Sequence, residues 1–502
     1  MVMQSQALGY YICSFLWLVI ISLIVSTSSS LNIPRLSATR GARIAQALST
    51  YDSFELETFY YTQTLDHFNF RYDSFATFQQ RYLINFKHWG GSNTSAPIFA
   101  YLGAEESLDR ELSFHGFLPD NAKQFQALQI YIEHRYYGKS IPFGSRETAF
   151  KNARTLGYFN SAQALADCAE ILIHVKKKLH AEHSPIIVVG GSYGGMLASW
   201  FRLKYPHVAL GALASSAPIL YFDEIVSRKN GYYSIISRDF QETSESCYQT
   251  IKKSWSEIEE IASKPNGLSV LSKKFHTCSP LGSSSELEDH LEFMYIGAAQ
   301  YDAPPTYPVT EICGAIDGVS SKDTLAKIFA GLVAYEGKKS CYVNDYQPGS
   351  ESLETVQGWA WQICSEMVMP IGNGNNNTML PPAPFDLKQY IAECKAEYGV
   401  PPRPHWVTTY YGGHDIRLAL HRFASNIIFS NGLRDPYSGG GVLHDISDTV
   451  LAVTTTKGSH CLDLLRANHT TDPAWLVNQR KTEVRIIKGW MLKYYADLQA
   501  FK

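Results

Sequence analysis

From about residue 59 to residue 220, short apolar runs alternate with segments whose apolar residues recur at every third or fourth position. Short β-branched or aromatic runs are typical of buried strands, and the longer period is that of an amphipathic helix. One helix is predicted to begin after Asn160 or Ser161, either of which could cap it. It would precede a strand over residues 186–189. Strands that alternate with helices in this way predict a parallel α/β sheet.

The pattern changes after residue 220. Helical spacing dominates over residues 221–400, and apolar runs return at residues 426–432 and 449–460. A chain of this length also exceeds what one hydrophobic core usually holds. We therefore predict an α/β core formed by residues 51–220 and 401–502, with a helical cap domain inserted between its strands.

The amino-terminal segment has the composition of a secretory leader. Residues 1–30 carry no ionised side chain and contain an apolar stretch over residues 10–25, which predicts a signal peptide. The alternative is a membrane anchor, although the stretch is short for a bilayer span and lacks basic flanks. Residues 31–50 would form a propeptide or a flexible arm. We expect the mature protein in a lysosome, in a vacuole or outside the cell, without stable membrane association.

Cysteine usage agrees with a secretory route. Eight of the nine cysteines remain when Cys13 is set aside, and an even number behind a signal peptide suggests disulfides. Six of them lie within residues 221–400, where fifteen pairings are open. Cys168 and Cys461 could pair with each other or remain as two buried thiols. Three sequons that permit glycosylation on this route occur at Asn93, Asn376 and Asn468.

Charge and motif content exclude some classes of function. The formal net charge is −3, and the clustered lysines and arginines that neutralise phosphates are not seen, so nucleic acid is not an expected partner. The HExxH type of metal spacing is absent from the sequence. We predict neither a metal nor a cofactor.

The stretch IIVVGGSYGGM carries the first candidate chemistry, because Gly190, Ser192 and Gly194 spell GxSxG. Between a strand and a helix, this pattern places a serine on a sharp turn at the top of a sheet. The motif alone arises by chance about once in every five chains of this length. Here a β-branched run precedes it, and an apolar series at helical spacing begins at Met196. So tight a turn also leaves no room for a Cβ beside the serine, which explains the glycines.

A nucleophilic serine needs a base, and the base needs an orienting carboxylate. Asp435 follows one of the two returning strands by about three residues, and His460 follows the other. The chain order of Ser192, Asp435 and His460 is that of an α/β hydrolase. All three follow the carboxyl ends of strands, where open α/β sheets bind their ligands. We predict that they form a catalytic triad.

The roles in that triad follow from the chemistry. Ser192 would attack a carbonyl carbon, His460 would take and return the proton, and Asp435 would fix the imidazole tautomer. The backbone N–H of Tyr193 is one expected oxyanion donor. A second is expected from the loop near Gly103 and the following alanine.

Several other acids and histidines compete for these roles. His134 follows a strand, but a structural hydrogen bond is the preferred interpretation. The remaining candidates are interpreted as capping or surface groups, namely Asp445, Asp448, His414, His444 and His469.

Longer motifs resemble a known family. The stretches YTQTLDHF, EHRYYGKS, GGSYGGMLASW, WAWQICSEMVMP, NGLRDPYSGGG and GSHCLDL are similar to those of the serine carboxypeptidase family that contains lysosomal Pro-Xaa carboxypeptidase and dipeptidyl peptidase II. The resemblance implies an α/β-hydrolase core, a disulfide-bearing helical cap and exopeptidase action after proline. It assigns the family's triad to the same three residues. It also leaves a homodimer open.

The resemblance further implies an apolar pocket for proline. The residues at the matching positions are Met196, Trp359, Met367 and Tyr437. Tyr437 stands where Pro-Xaa carboxypeptidases tend to have tryptophan, and Cys461 replaces the second histidine of a His-His pair. A tyrosine still offers a flat apolar face, but its hydroxyl must be satisfied or face water.

The main hypothesis is a serine exopeptidase that removes the residue after a penultimate, C-terminal proline from peptide substrates. A dipeptidyl peptidase would reverse the polarity and would need a carboxylate for the substrate ammonium, for which Glu105 and Glu106 are candidates. A secreted esterase or lipase shares GxSxG and the triad. A binding protein on an inactive hydrolase scaffold is disfavoured, because all three triad residues are present in order.

Overall fold

Eight strands form one sheet in the computed structural model of the chain, which describes residues 55–223, 225, 231–344, 350–374 and 378–501. In chain order the strands are β1 (Glu57–Thr64), β2 (Thr77–Asn85), β3 (Ile98–Leu102), β4 (Leu128–Ile132), β5 (Ile186–Gly191), β6 (Gly211–Ser215), β7 (Ile427–Gly432) and β8 (Val450–Thr455). The predicted leader, the predicted arm and Asn376 lie outside the described residues.

The sheet is parallel except at one edge. Its spatial order is β1-β2-β4-β3-β5-β6-β7-β8. β2 pairs antiparallel with both β1 and β4, and every later neighbour pair is parallel. Strands β3 to β7 are buried along their whole length. This agrees with the continuous apolar runs of the sequence, because a parallel sheet is covered on both faces.

The helices that precede the insertion connect and cover the sheet. They are α1 (Leu108–Glu111), α2 (Phe117–Phe125), α3 (Arg146–Ala149), α4 (Ala153–Leu156), α5 (Ser161–Lys178) and α6 (Tyr193–Lys204). Short 3-10 helices span Tyr72–Phe75, Ser92–Thr94, Pro142–Gly144 and Pro436–Gly440. The side chain of Asn160 caps α5 by accepting a hydrogen bond from the N–H of Gln163, as the sequence allowed.

A helical insertion separates β6 from β7. Its helices are α7 (Tyr232–Thr243), α8 (Glu245–Ala262), α9 (Gly267–Lys274), α10 (Ser284–Gln300), α11 (Pro308–Gly318), α12 (Thr324–Glu336), α13 (Ser350–Ser365), α14 (Leu387–Tyr398), α15 (Trp406–Tyr411) and α16 (Ile416–Phe423). The fold prediction of an α/β-hydrolase core with a helical insertion between core strands is confirmed. The helices continue past residue 400, and the boundaries of a separate cap domain remain a prediction.

Three disulfides connect parts of the insertion. They are Cys247–Cys313, Cys278–Cys341 and Cys364–Cys394. All six cysteines of this region are therefore paired, which confirms the prediction of a disulfide-bearing insertion. Disulfides stabilise mainly by restricting the unfolded chain.

The C-terminal helix α17 (Ala474–Ala500) packs on the sheet. Its Trp490 lies so close to Gly211 that a Cβ there would come within 2.6 Å of the indole ring. In the part of the chain that the structure describes, no helix combines the length and apolarity that crossing a bilayer requires. The sequon residues Asn93 and Asn468 are both exposed.

Candidate active site

Ser192 lies at the turn between β5 and α6. Its backbone has φ 60° and ψ −124°, a left-handed conformation that a non-glycine residue adopts at an energetic cost. The surrounding glycines allow the turn, because a Cβ at Gly190 would lie 2.1 Å from the carbonyl oxygen of Gly194. A Cβ at Gly194 would lie 2.8 Å from the carbonyl oxygen of Leu102. The Ser192 N–H donates to the carbonyl of Ser215 at 2.9 Å, which fixes the turn to β6.

His460 brings Ser192 and Asp435 together. Its Nε2 lies 2.9 Å from the Ser192 Oγ, and its Nδ1 lies 2.7 Å from the Asp435 Oδ2. All three residues are buried. The second oxygen of Asp435 accepts the N–H of Tyr437 at 2.9 Å, so the carboxylate is held from two sides. The predicted order of residues along the chain thus becomes one hydrogen-bonded line in space.

The electrostatics of His460 are set by burial and by Asp435. Burial by itself would lower the pKa of His460, but the charge of the Asp435 carboxylate and its hydrogen bond raise that pKa well above its ordinary value. The imidazolium that forms when His460 accepts a proton is therefore stabilised.

The insertion contributes two contacts that the sequence did not indicate. The carbonyl of Gln300, at the end of α10, accepts the backbone N–H of His460 at 3.0 Å. The ring of Tyr301 stands edge-on to the imidazole with a centroid separation of 6.2 Å. Both residues precede His460 by about 160 positions. No local motif marks a residue that acts through its backbone carbonyl, so sequence reasoning missed them.

Tyr193 and Gly103 were the expected oxyanion donors. Tyr193 is the first residue of α6, where helix N–H groups lack partners within the helix. The N–H of Gly103 instead donates to the carbonyl of Ile132 at 2.9 Å, and the N–H of Ala104 donates to the Glu111 carboxylate at 2.8 Å. The expectation for Gly103 is therefore not met, because its amide continues the hydrogen bonding of the sheet.

His134 contacts the side chain of Tyr193. It is buried, its Nδ1 lies 2.6 Å from the carbonyl of Arg135, and its Nε2 lies 3.1 Å from the Tyr193 hydroxyl. Asp445 accepts the N–H of Ala452 at 2.8 Å in an exposed position. The histidines interpreted as surface groups are exposed, namely His414, His444 and His469.

The four expected pocket residues are all buried, and two of them contact the site. The ring of Tyr437 lies 5.8 Å from the imidazole of His460, and the ring of Trp359 lies 5.9 Å from that of Tyr193. Tyr437 also makes an edge contact with Tyr232 of α7 at 4.8 Å. The remaining two expected pocket residues are Met196 and Met367, on α6 and just after α13.

The two cysteines outside the insertion do not form a disulfide. Cys168 and Cys461 are free, buried thiols. Cys461 has φ 54°, and its N–H donates to the Ser216 hydroxyl at 2.9 Å. Of the two carboxylates considered for an ammonium, Glu106 pairs with Arg110 at 2.7 Å.

The parallel sheet, the serine turn after β5 and the loops that deliver an acid and a histidine define the chain as an α/β hydrolase. A comparison with known families narrows this class. The model of the family described as "Serine carboxypeptidase S28" matches residues 63–483 of this chain. The chain belongs to the serine carboxypeptidase S28 family.

Curated relatives agree with this assignment. Lysosomal Pro-X carboxypeptidase of Mus musculus is 40% identical over 457 residues, which cover 88% of this chain and 90% of the mouse protein. The Homo sapiens protein of the same name is 39% identical and covers 87% of this chain and 88% of its own length. Thymus-specific serine protease of Homo sapiens is 29% identical over 82% of each chain.

Proposed function

We propose that this chain is a serine carboxypeptidase that removes the C-terminal residue when proline precedes it. The observation that carries the proposal is the buried His460 imidazole between the Ser192 hydroxyl and the Asp435 carboxylate, at 2.9 Å and 2.7 Å. Membership of the serine carboxypeptidase S28 family supports the reaction class. The names of the mouse and human relatives support the preference for proline.

The reaction proceeds in two halves. His460 Nε2 takes the proton of the Ser192 hydroxyl as its Oγ attacks the carbonyl carbon of proline. The bond to the leaving residue breaks, and its amine takes the proton from His460. A water then attacks the ester on Ser192 as His460 takes one of its protons, and His460 returns that proton to the Ser192 Oγ as the ester bond breaks and the shortened peptide leaves. Asp435 holds the tautomer in which Nδ1 carries its hydrogen throughout.

The negative charge on the carbonyl oxygen needs donors that are already in place. The N–H of Tyr193 is proposed as one of them, because it directly follows the nucleophile at the start of α6. The positive end of the helix dipole also favours an anion at this point.

Proline would be recognised by apolar and aromatic surface. Tyr437 is proposed to lie against the substrate next to His460, and Trp359 next to Tyr193, where their rings lie. Flat aromatic faces suit the compact pyrrolidine ring. Met196 and Met367 are proposed to complete the pocket, and flexible thioethers adapt well to an irregular apolar shape.

The cellular setting is proposed from the leader and the relatives. A signal peptide over residues 1–30, three disulfides and two exposed sequon residues fit the secretory pathway. The relatives named as lysosomal favour a lysosome or vacuole over secretion to the exterior.

One set of substrates tests the proposal. The purified protein is incubated with an N-blocked peptide that ends in Pro-Phe, a free-amine Xaa-Pro reporter and a short-chain ester. We expect release of phenylalanine from the first and loss of all hydrolysis in Ser192→Ala. Ser254→Ala is the matched control, because this buried serine lies on α8 and bonds within its own helix. Hydrolysis of the Xaa-Pro reporter alone would instead identify a dipeptidyl peptidase, and unchanged activity in Ser192→Ala would reject the mechanism.

A further inference from the structure

Arg434 connects the loop of Asp435 to the loop of His460. It directly precedes Asp435, and its backbone N–H donates to the carbonyl of Gly458 at 2.9 Å. Gly458 lies two residues before His460. This bond therefore joins the loops that deliver the acid and the base.

The side chain of Arg434 reaches two segments of the insertion. On α7, its Nη2 donates to the carbonyl of Asp239 and to the hydroxyl of Thr243, both at 3.3 Å. Its Nε lies 3.7 Å from the Asp239 Oδ1. After α10, Nη2 lies 3.4 Å from the Oδ2 of Asp302. One guanidinium thus holds α7 and the turn after α10 to the Asp435 loop.

The same turn of the insertion holds His460. Gln300 accepts the N–H of His460, and Asp302 follows two residues later. Asp302 is itself fixed, because its Oδ1 accepts the N–H of Val309 at the start of α11 at 3.0 Å. The insertion therefore contacts His460 through a backbone carbonyl and the Asp435 loop through Arg434.

Arg434 differs from a neighbouring arginine that makes the reverse contact. Arg238 on α7 donates to the carbonyl of Leu433 at 2.6 Å, but its side chain is 48% exposed. Arg434 is 22% exposed and faces carboxylates that are 0% and 2% exposed. Exposed charged contacts contribute little. Burial raises the pKa of Asp239 to about 8, so its carboxyl is largely neutral at neutral pH, but removing Arg434 still deprives buried polar groups of a partner, which is destabilising.

We propose that Arg434 is a positioning residue of the peptidase. It holds the Asp435 and His460 loops in their relative positions. It does so because it attaches the Asp435 loop to the turn after α10, and that turn also bonds His460. The residue touches no reacting atom and acts through Asp435. This inference rests on the proposed function.

The test compares Arg434→Met, Arg434→Lys and the control Arg238→Met on both the Pro-Phe peptide and the short-chain ester. We expect Arg434→Met to lower kcat by about 10- to 100-fold on both substrates, since small displacements of catalytic groups cost about that much. KM should stay within about twofold of the original. The lysine variant should recover part of the rate, and Arg238→Met should change kcat by less than about threefold.

A second measurement separates positioning from general stability. Arg434→Lys retains the positive charge, so a change in its pH profile would report geometry and not loss of charge. Asp435 should engage His460 less closely in this variant, which moves the acid limb of the kcat/KM profile to lower pH. Folding of each variant is checked by circular dichroism and Tm. If Arg434→Met does not fold, the inference is tested on the kcat and the pH profile of Arg434→Lys and of Thr243→Val, which removes one acceptor of the Arg434 guanidinium.

Unchanged kcat together with an unchanged acid limb in the folded variants would overturn the inference. The ester makes its failure distinguishable from that of the proposed function. Ester hydrolysis that depends on Ser192 without cleavage after proline would refute only the substrate preference, and the effect of Arg434 would still be measured. Unchanged activity in Ser192→Ala would refute both the mechanism and this inference.

Discussion

The hydroxyl of Tyr193 lies 3.1 Å from the Nε2 of His134. Tyr193 directly follows Ser192, the proposed nucleophile. The Nδ1 of His134 faces the Arg135 carbonyl at 2.6 Å and must therefore carry the hydrogen, which makes Nε2 the acceptor. Burial lowers the pKa of His134 to about 4. The ring is consequently neutral at neutral pH and can accept this bond.

Tyr193→Phe tests whether this bond supports the site. The substitution leaves the Nε2 of His134 buried without its donor, so the free energy of unfolding should fall by about 1–3 kcal/mol. The backbone N–H of residue 193 remains, and kcat should fall by less than about tenfold. Urea unfolding and peptide hydrolysis measure the two effects. A loss of kcat as large as that of Ser192→Ala would show that the hydroxyl has a direct chemical role.

Asp435→Asn tests the proposed orientation of His460. An amide can donate to Nδ1 and stabilise the wrong tautomer, so kcat should fall by about 10⁴-fold while the fold persists. The exposed Asp445→Asn is the matched control, and it should retain activity. Equal rates for the original protein and Asp435→Asn would exclude the proposed triad.

The pH profile follows from His460. A base must be neutral to accept the serine proton, and the pKa of His460 is raised well above its ordinary value, because Asp435 overcomes the effect of burial. We expect kcat/KM to fall as the pH decreases, with a midpoint above the ordinary histidine value of about 6.5. Initial rates on a peptide that does not titrate in this range measure the profile. A rate that stays flat from neutral to strongly acid pH would contradict the assignment of His460 as the base.

His115 should limit stability in acid. Burial lowers its pKa to about 3, and no hydrogen-bond partner for its Nε2 is present among the described residues. The unfolded chain binds a proton near pH 6.5, so stability is fully present above that pH and is lost as the pH falls toward 3. At pH 5 the loss from this group amounts to about 2 kcal/mol.

His115→Phe removes this penalty. The ring already packs against Tyr101 with a centroid separation of 4.2 Å, so an apolar ring should be accommodated. In urea unfolding, the stability that the variant gains over the original protein should be about 2 kcal/mol larger at pH 5 than at pH 8. His414→Phe, at an exposed position, controls for the loss of a histidine. The same difference at both pH values would refute the linkage.

The sheet could be predicted because the local sequence of its strands indicates that they are buried. Five of them are buried along their whole length, and a continuous apolar run between glycines is visible without knowledge of the rest of the chain. The serine turn was predictable for a similar reason, since Gly190 and Gly194 leave a pattern in five residues.

Contacts between distant segments were not predictable. Six cysteines fit fifteen pairings, and only the packing of the helices selects Cys247–Cys313, Cys278–Cys341 and Cys364–Cys394. Gln300 contacts His460 through a backbone carbonyl, which every residue type has. Gly103 was misassigned because the sequence showed where the strand ends only approximately, and its N–H still belongs to the sheet.

The separation of Ser192 and His460 along the chain also sets the timing of assembly during synthesis. β7 and β8 are made only after the whole insertion, and β7 must return to pair with β6. Each disulfide closes within the insertion, so all six cysteines emerge before His460 does. A ribosome-bound chain therefore carries Ser192 for 268 residues before His460 is made, and the proposed triad can be completed only after β8 has been synthesised.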